Sequence, residues 1–275
     1  MVPWCGRIRD GRFRDGAAVQ QMPLNAPPNA IHGTARDAAW RTARASADEA
    51  VLTYDLVEPW PYPGRVTQRI ALTADSLTLT MSVETYESSF PAQLGWHPWF
   101  NRNLGGEDVT IDFAPAWQEE RGDDHLPTGH RIDPKPGPWD DCFGMPGGVD
   151  VSLTWPGQLE LKVTSREEWV VVYDEQSEAV CVEPQTGPPN GLNTHPRLVT
   201  PWSRSRPRRP GPGPASKLGR MTDTRGALLQ QIKDKAVVHG KVTLSSGLEA
   251  DYYVDLRRVT LDGEAAPWSG RCCWT

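Results

Sequence analysis

Apolar and polar residues alternate with a period of two along much of this sequence, and this pattern restricts the possible folds more than any other feature. The clearest run is L-T-L-T-M-S-V-E at residues 77–84, and a shorter one precedes it at 70–72. Two more runs, 151–155 and 159–163, stand on either side of a Pro-Gly pair that is typical of a turn. Such alternation indicates half-buried strands, and no part of the first 200 residues keeps the 3.6-residue period of a helix. We therefore predict a mainly β fold that contains hairpins.

The same part of the chain contains strands and loops of other kinds. The continuous apolar run Trp169–Tyr173 predicts a strand that is buried on both faces. The segment 180–182 predicts a short strand that ends at Glu183. Proline is frequent, with 26 residues in 275, and the Pro-rich segments 58–64 and 121–138 are predicted to be long loops.

Composition divides the chain into three parts. Residues 1–200 form the β-rich part, which we predict to be one domain. The segment 201–220 contains five Arg, five Pro and no acidic residue. Such a composition cannot bury a core, so this segment is predicted to be a disordered linker. Residues 221–275 resume an orderly pattern and are predicted to form a small α/β unit.

Charge, hydropathy and cysteine usage exclude several classes of function. The net charge of −6 gives no general support for a nucleic-acid partner. No apolar run approaches the roughly 18 residues of a membrane span, and the N-terminus lacks the apolar stretch of a signal peptide. The five Cys show no CxxC pair and no zinc-ligand spacing, so we predict reduced thiols, a cytoplasmic location and no metal site. The oligomeric state is left open.

Five short segments in the first 200 residues have unusual combinations of residues that suit a sugar site. They are P-W-C-G-R-I-R-D-G-R-F at 3–13, N-A-I-H-G at 29–33, G-W-H-P-W-F-N at 95–101, W-D-D-C-F at 139–143 and V-E-P-Q-T-G-P-P-N at 182–190. The 12 Trp of the chain fit the same interpretation, because indole rings pack on the C–H faces of sugars. They equally fit ordinary core packing, and composition leaves both open.

One imidazole and one carboxylate in these segments have the chemistry for general acid–base catalysis. His97 can give and take a proton near neutral pH, and Glu183 can accept one opposite it. Arg7, His32 and Asp140 are candidate contacts to a polyol. In the alternative interpretation, Arg7 is a surface charge, His32 is a turn residue, and Asp140 is a loop or cap residue. No nucleophile with a partner base and no Gly-rich phosphate loop stands out here.

Taken together and in this order, the five segments resemble the aldose 1-epimerase (galactose mutarotase-like) family over residues 2–200. The resemblance implies a large antiparallel β-sandwich with a cleft for a small sugar across one face. It also implies an enzyme that needs neither a metal nor an organic cofactor.

The resemblance also implies a role for each candidate residue. His97 resembles the general acid that protonates the ring oxygen, and Glu183 resembles the general base that takes the proton of the anomeric hydroxyl. His32 resembles a second imidazole that hydrogen-bonds the sugar near its ring oxygen. Arg7 and Asp140 resemble polar contacts to sugar hydroxyls.

The C-terminal part resembles an unrelated enzyme. Its pattern predicts a helix from about Thr224 and two strands, 241–244 and 252–256, around an S-S-G turn. The motif T-L-S-S-G-x-E-A-D-Y-Y-x-D-x-R resembles the N-terminus of orotate phosphoribosyltransferase over residues 221–267. Leu248 stands where that family usually has Lys, and no loop for phosphoribosyl pyrophosphate follows. We expect no transferase activity from this piece alone.

The junctions between the parts suggest how the chain arose. The resemblance begins at residue 2, where family members usually have earlier strands, and its expected continuation stops near Pro201. We hypothesise that the open reading frame joins two neighbouring genes through frameshifts near Pro201 and Pro267. The alternative is a genuine fusion with a disordered linker.

Four functions follow as expectations. The first is anomer interconversion of a free aldohexose. The second is mutarotation of a hexose phosphate, for which Arg7, Arg9, Arg12 and Arg102 are candidate cations. The third is a carbohydrate-binding protein that kept the cleft and lost catalysis because its scaffold is truncated. The fourth is a chain classified by its orotate phosphoribosyltransferase-like C-terminal fragment, without transferase activity of that fragment alone.

Overall fold

The structure, a computed structural model, describes residues 1–201, 237–243, 249–254 and 272–274. Within these ranges the regular secondary structure is almost entirely strand, with two short 3-10 helices (Arg9–Gly11 and Ala35–Asp37) and one α-helix, α1 (Gly191–Thr194). The strands, in chain order, are β1 (Arg7–Ile8), β2 (Arg12–Asp15), β3 (Ala18–Gln21), β4 (Ala30–Ile31), β5 (Arg41–Ala45), β6 (Glu49–Leu56), β7 (Gly64–Leu72), β8 (Leu77–Thr85), β9 (Phe90–Pro91), β10 (Trp99–Asn101), β11 (Asn103–Leu104), β12 (Glu107–Asp108), β13 (Thr110–Asp112), β14 (Trp117–Arg121), β15 (Pro127–Ile132), β16 (Asp140–Gly144), β17 (Val149–Trp155), β18 (Leu159–Ser165), β19 (Trp169–Tyr173), β20 (Ala179–Gln185), β21 (Leu198–Val199), β22 (Val237–Thr243), β23 (Glu249–Val254) and β24 (Cys272–Trp274).

Three larger sheets organise these strands. A six-stranded sheet has the order β10-β20-β19-β16-β14-β15, a five-stranded sheet the order β24-β8-β7-β6-β5, and a three-stranded sheet the order β13-β17-β18. The strand pairs are antiparallel except for β24 with β8. The mainly β prediction is therefore confirmed, and the predicted hairpin at 73–76 joins β7 to β8 with Leu72 opposite Leu77.

One face of the six-stranded sheet packs against β17 and β18, and the apolar residues that alternate along the strands form this contact. Phe143, Val170, Val172 and Val182 on that face are buried in a cluster with residues of both strands, such as Leu153. Each buried side chain of this size contributes roughly 1.5–3 kcal/mol relative to leaving it exposed. This apolar layer covers one face of the sheet, and the opposite face lies outside the core.

A second apolar cluster holds the N-terminal segments. Trp4 and Phe13 pack with Trp60, whose ring lies 6.0 Å and 5.1 Å from theirs, measured between centroids. Leu56 of β6 and Phe90 of β9 belong to the same cluster. These tryptophans therefore serve packing, which is one of the two interpretations that composition left open.

Some local predictions are corrected. Val171 and Tyr173 of β19 are only partly buried, because they line a cavity, so this strand is core-facing on one face and not on both. Glu183 lies inside β20 instead of at its end. Residues 127–132, predicted as loop, form strand β15 because they pair with β14 at the sheet edge.

The C-terminal predictions are partly tested. The backbones of β22 and β23 pair as an antiparallel hairpin, as the pattern predicted, with bounds shifted by a few residues. The predicted helix from Thr224 and nearly all of the predicted 201–220 linker lie outside the described residues. Among the described helices, none has the length and apolar character to cross a membrane.

Candidate active site

The register of three neighbouring strands builds the floor of the site. In β16, β19 and β20, Cys142 is paired with Val171, and Val171 is paired with Glu183. The next row along the strands joins Asp140, Tyr173 and Cys181. Because directly paired residues of an antiparallel sheet point to the same face, these side chains all lie on the face opposite the apolar core. The same strands therefore supply both the core and the polar floor.

This floor forms the base of a cavity of about 230 Å³. All five candidate residues from the sequence lie on its wall, although they come from five separate segments of the chain: Arg7, His32, His97, Asp140 and Glu183. The structure thus brings the predicted set together, while the role of each residue stays a prediction.

His97 and Glu183 are in direct contact. His97 lies just before β10, which pairs with β20, and its Nε2 is 3.1 Å from Glu183 Oε1. The Glu183 side chain is 4% exposed and that of His97 26% exposed, so the carboxyl lies beneath and the imidazole faces the cavity. Gln185 Nε2 donates a hydrogen bond of 3.3 Å to the other oxygen, Glu183 Oε2.

Burial determines which of the two groups carries the proton. Burial raises the pKa of the Glu183 carboxyl well above its usual range, and the negative charge of Asp140 adds to this. Burial also lowers the pKa of His97 to about 4, and the Met1 ammonium and Arg36 act in the same direction. Burial thus favours the protonated carboxyl of Glu183 and the neutral imidazole of His97, and a proton can pass between them across the 3.1 Å contact.

The other nitrogen of His97 also has a partner, because Cys181 Sγ lies 3.4 Å from Nδ1. One donor atom each from His97, Cys181 and Glu183 lie within 4.8 Å of one another, and nitrogen, sulfur and oxygen donors suit zinc. However, the two nitrogens of His97 face different partners, so a metal held by all three residues would require the imidazole to turn away from one of them. The prediction of a site without metal or organic cofactor stays a prediction.

His32 approaches His97 from a strained turn. The two rings meet edge to face with their centroids 5.0 Å apart. His32 has a positive φ of 64° and its amide donates to Gly6 O at 3.0 Å. Burial, with His97 as the next cause, lowers the pKa of His32 to about 2, so this ring is neutral. Its buried Nδ1 has no hydrogen-bond partner among the described residues, which makes it available to a ligand.

Arg7 is held beside His32 by the pairing of β1 with β4, in which Arg7 is opposite Ile31. Asn190 holds this segment in place, because its backbone N–H donates to Arg7 O at 2.7 Å and its Oδ1 accepts from the Arg9 backbone N–H at 3.2 Å. In the part of the chain that the structure describes, the Arg7 guanidinium makes no ion pair. It is therefore free to bind hydroxyls or an anion in the cavity.

Asp140 is engaged by residues that sequence analysis missed. Arg121 of β14 donates to Asp140 Oδ2 at 2.6 Å and lies 3.6 Å from Asp141. His125, in the turn after β14, has its Nδ1 3.8 Å from the same Asp140 oxygen. Arg121 and His125 both line the cavity. The sequence around Arg121 and His125 shows no distinctive motif that could have identified them.

Cys181, which contacts His97, was also missed, but the sequence contained a signal for it. It lies two residues before Glu183 on a predicted strand, and residues two apart on a strand point to the same face.

The remaining candidate cations are bound elsewhere. Arg9 pairs with Asp124 at 2.5 Å, and Arg12 donates to Gln21 at 2.8 Å. Arg102 donates to the backbone carbonyls of Asp174 and Gln176. Of the four arginines considered for a phosphate, Arg7 is the one on the cavity wall.

Comparisons with known proteins agree with this architecture. The family model described as aldose 1-epimerase matches residues 1–200. The uncharacterised protein YihR of Escherichia coli K12 is 26% identical over 219 residues, covering 70% of this chain and 71% of YihR. A galactose mutarotase-like protein from Clostridium acetobutylicum superposes with a TM-score of 0.64 at 18% identity, covering 72% of this chain and 73% of that one. A putative aldose 1-epimerase from Escherichia coli K12 gives 0.63 at 19% identity, covering 74% and 78%.

The C-terminal part matches different relatives. The orotate phosphoribosyltransferase of Streptomyces coelicolor is 88% identical over 51 residues, which is 18% of this chain and 28% of that enzyme. The enzyme of Mycobacterium tuberculosis is 57% identical over 47 residues, covering 17% of this chain and 26% of the enzyme. The chain thus spans little more than a quarter of these relatives, in agreement with the predicted N-terminal fragment.

Proposed function

The chain belongs to the aldose 1-epimerase family through residues 1–200, and we propose that it interconverts the α and β anomers of a free aldohexose by general acid–base ring opening. The observation that carries the proposal is the 3.1 Å contact between His97 Nε2 and Glu183 Oε1 on the wall of a cavity. The ring oxygen and the anomeric hydroxyl of a cyclic sugar are bonded to the same carbon. An acid and a base that serve both oxygens must therefore converge on one point, as these two atoms do.

The reaction follows from one mobile proton. Transfer of the Glu183 proton to His97 Nε2 gives a carboxylate beside an imidazolium. The carboxylate takes the proton of the anomeric hydroxyl as the C1=O bond forms, the C1–ring oxygen bond breaks, and the imidazolium protonates the departing ring oxygen. Rotation about C1–C2 and the reverse steps give the other anomer. Groups of this kind contribute about 10²- to 10⁴-fold each.

The charges of the cavity favour a neutral sugar over a hexose phosphate. Arg121 lies between Asp140 and Asp141, so this group carries a net negative charge. Arg7 is a guanidinium on the wall without a carboxylate partner among the described residues. One such cation suits a hydroxyl pair, whereas the acidic group that lines the same cavity would repel a phosphate. We expect a higher kcat/KM on glucose or galactose than on their 6-phosphates.

We further propose that the activity belongs to the cytoplasm. Cys5, Cys142 and Cys181 are buried free thiols in the described part of the chain, and free thiols are typical of reducing compartments.

The test is a polarimetric assay on freshly dissolved α-D-glucose and α-D-galactose, corrected for spontaneous mutarotation. His97→Asn and Glu183→Gln should each lower kcat about 10²- to 10⁴-fold, because either change removes one partner of the proton transfer. His130→Asn and Glu160→Gln, which change exposed residues outside the cavity, are the matched controls. Site variants that match the parent rate would refute the assignment. A parent that binds sugar but does not speed mutarotation would instead indicate a carbohydrate-binding protein.

A further inference from the structure

A single strand contacts both nitrogens of the catalytic imidazole. Cys181 and Glu183 are two residues apart on β20, so their side chains point to the same face. Cys181 Sγ lies 3.4 Å from His97 Nδ1, and Glu183 Oε1 lies 3.1 Å from His97 Nε2. Two side chains of β20 thus contact the two nitrogens of the same imidazole ring.

We propose that Cys181 is a positioning residue, whose sulfur accepts the Nδ1–H of His97 and thereby keeps Nε2 as the nitrogen that exchanges a proton with Glu183 and the sugar. The proposal rests on the proposed function and deepens it, because it specifies the tautomer that the acid–base pair needs.

The need for one tautomer follows from counting protons. A neutral imidazole carries one N–H, on either Nδ1 or Nε2. If that hydrogen were on Nε2, this nitrogen could not accept the proton of Glu183, and the transfer that starts ring opening would be blocked. With the hydrogen on Nδ1, Nε2 offers its lone pair to the Glu183 hydroxyl across the 3.1 Å contact. A partner that accepts from Nδ1 therefore selects the productive form.

A thiol sulfur suits this role better than a carboxylate would. Burial and the nearby Glu183 raise the pKa of the Cys181 thiol far above its usual range, so the sulfur is uncharged. A neutral, weak acceptor orients the imidazole without stabilising its positive charge. His97 then gives up its proton readily to a weakly basic ring oxygen. The other titratable or charged groups that act on His97 are the His32 ring, the Met1 ammonium and Arg36, and none of them is an anion that would hold the proton.

The sheet holds the sulfur in position. Cys181 is paired with Trp99 of β10 on one side and with Tyr173 of β19 on the other, and it is fully buried. The ring of Trp99 also lies against His97, with 5.5 Å between centroids. The thiol therefore has little freedom to move away from Nδ1.

The experiment uses the full chain and the variants Cys181→Ala and Cys181→Ser. Cys5→Ala is the matched control, since it removes another fully buried free thiol. The first measurement is ¹⁵N NMR of the His97 ring in the ligand-free protein, which separates the two tautomers without any assay of activity. The second is the division of the polarimetric rate into kcat and KM.

We expect parent His97 to carry its hydrogen on Nδ1, and Cys181→Ala to shift the ring towards a mixture of tautomers. The same variant should lower kcat about 3- to 10-fold, the effect of one modest hydrogen bond, with KM changed less than about twofold. Cys181→Ser should restore the tautomer and part of the rate, because a hydroxyl oxygen also accepts. Cys5→Ala should leave the tautomer unchanged.

Three results would overturn the proposal. One is an Nε2–H tautomer in the parent protein. Another is a Cys181→Ala variant with the parent tautomer and kcat, and the third is an equal effect of Cys5→Ala, which would indicate a general loss of packing. If Cys181→Ala fails to fold, Cys181→Ser decides alone, and a mixed tautomer there refutes the role. If the parent does not interconvert anomers, the proposed function fails, while the NMR result still decides the tautomer.

Discussion

At the scale of single residues, burial reverses the usual protonation of the acid–base pair. Free carboxyls are ionised at neutral pH and free histidines are close to half-protonated near pH 6.5. In this site burial favours the uncharged form of both Glu183 and His97. Under the proposed function, the carboxyl holds the proton before ring opening, and the imidazolium forms only while the ring opens or closes.

A bell-shaped pH profile should result. As the pH falls through about 4, the pKa of His97, the pair gains a second proton and no base remains. As the pH rises through the raised pKa of Glu183, the mobile proton is lost. The measurement is kcat/KM by polarimetry across this range, with correction for the spontaneous reaction. An acidic limb near pH 6.5, the ordinary value of a histidine, would contradict the assignment.

Arg121 should affect binding more than chemistry. Removing its guanidinium in Arg121→Ala leaves Asp140 without its 2.6 Å partner, so the carboxylate can turn away from the sugar. Loss of a hydrogen bond to a charged group corresponds to about tenfold or more, and we expect this as a rise in KM with little change in kcat. Arg12→Ala, which changes an arginine bound to Gln21 outside the cavity, is the control in the same steady-state assay. An unchanged KM would show that Asp140 does not depend on Arg121.

At the scale of elements, the turn that presents His32 depends on a glycine. Gly33 has a φ of +76°, and a Cβ placed there would lie 1.9 Å from the carbonyl oxygen of Val2. Gly16 has a similar φ of +58° but has no atom within 4 Å of such a Cβ. The two positions therefore differ in crowding and hardly at all in backbone conformation.

Gly33→Ala should consequently destabilise the protein more than Gly16→Ala. Both variants carry the cost of a left-handed alanine, about 1–2 kcal/mol, and Gly33→Ala adds the clash with Val2. Circular dichroism melts at equal protein concentration measure the difference. Equal melting temperatures for the two variants would show that the Val2 contact relaxes without cost.

The sequence predicts individual strands better than it predicts which strands lie side by side in a sheet. A period of two is a local signal, so β7, β8, β17 and β18 could be recognised from residues a few positions apart. The order of strands in the six-stranded sheet is non-local, and only this order brings Arg121 of β14 next to Asp140 of β16. The contact of Cys181 with His97 likewise depends on pairing between β10 and β20.

At the scale of the whole molecule, the chain combines two unrelated sequences. Residues 1–200 match one family, and a separate segment matches the first part of orotate phosphoribosyltransferases. We propose the division 1–200, 201–220 and 221–275, with frame changes near Pro201 and Pro267 as the origin of the junctions. Resequencing the coding DNA through both positions should reveal insertions or deletions there. A confirmed, uninterrupted frame would establish a genuine fusion instead.

The alternation of side chains along β20 determines which folded species a preparation can contain. Cys181, Glu183 and Gln185 occupy one face of this strand, and Val180 and Val182 occupy the other. A slip of one residue would turn the valines into the cavity and drive the polar side chains into the apolar core. Such a misaligned copy is too unstable to persist as a folded molecule. Correct folding and formation of the His97–Glu183 contact are therefore a single event, so a preparation should contain folded molecules with this contact or unfolded molecules, but no stable, misassembled fraction.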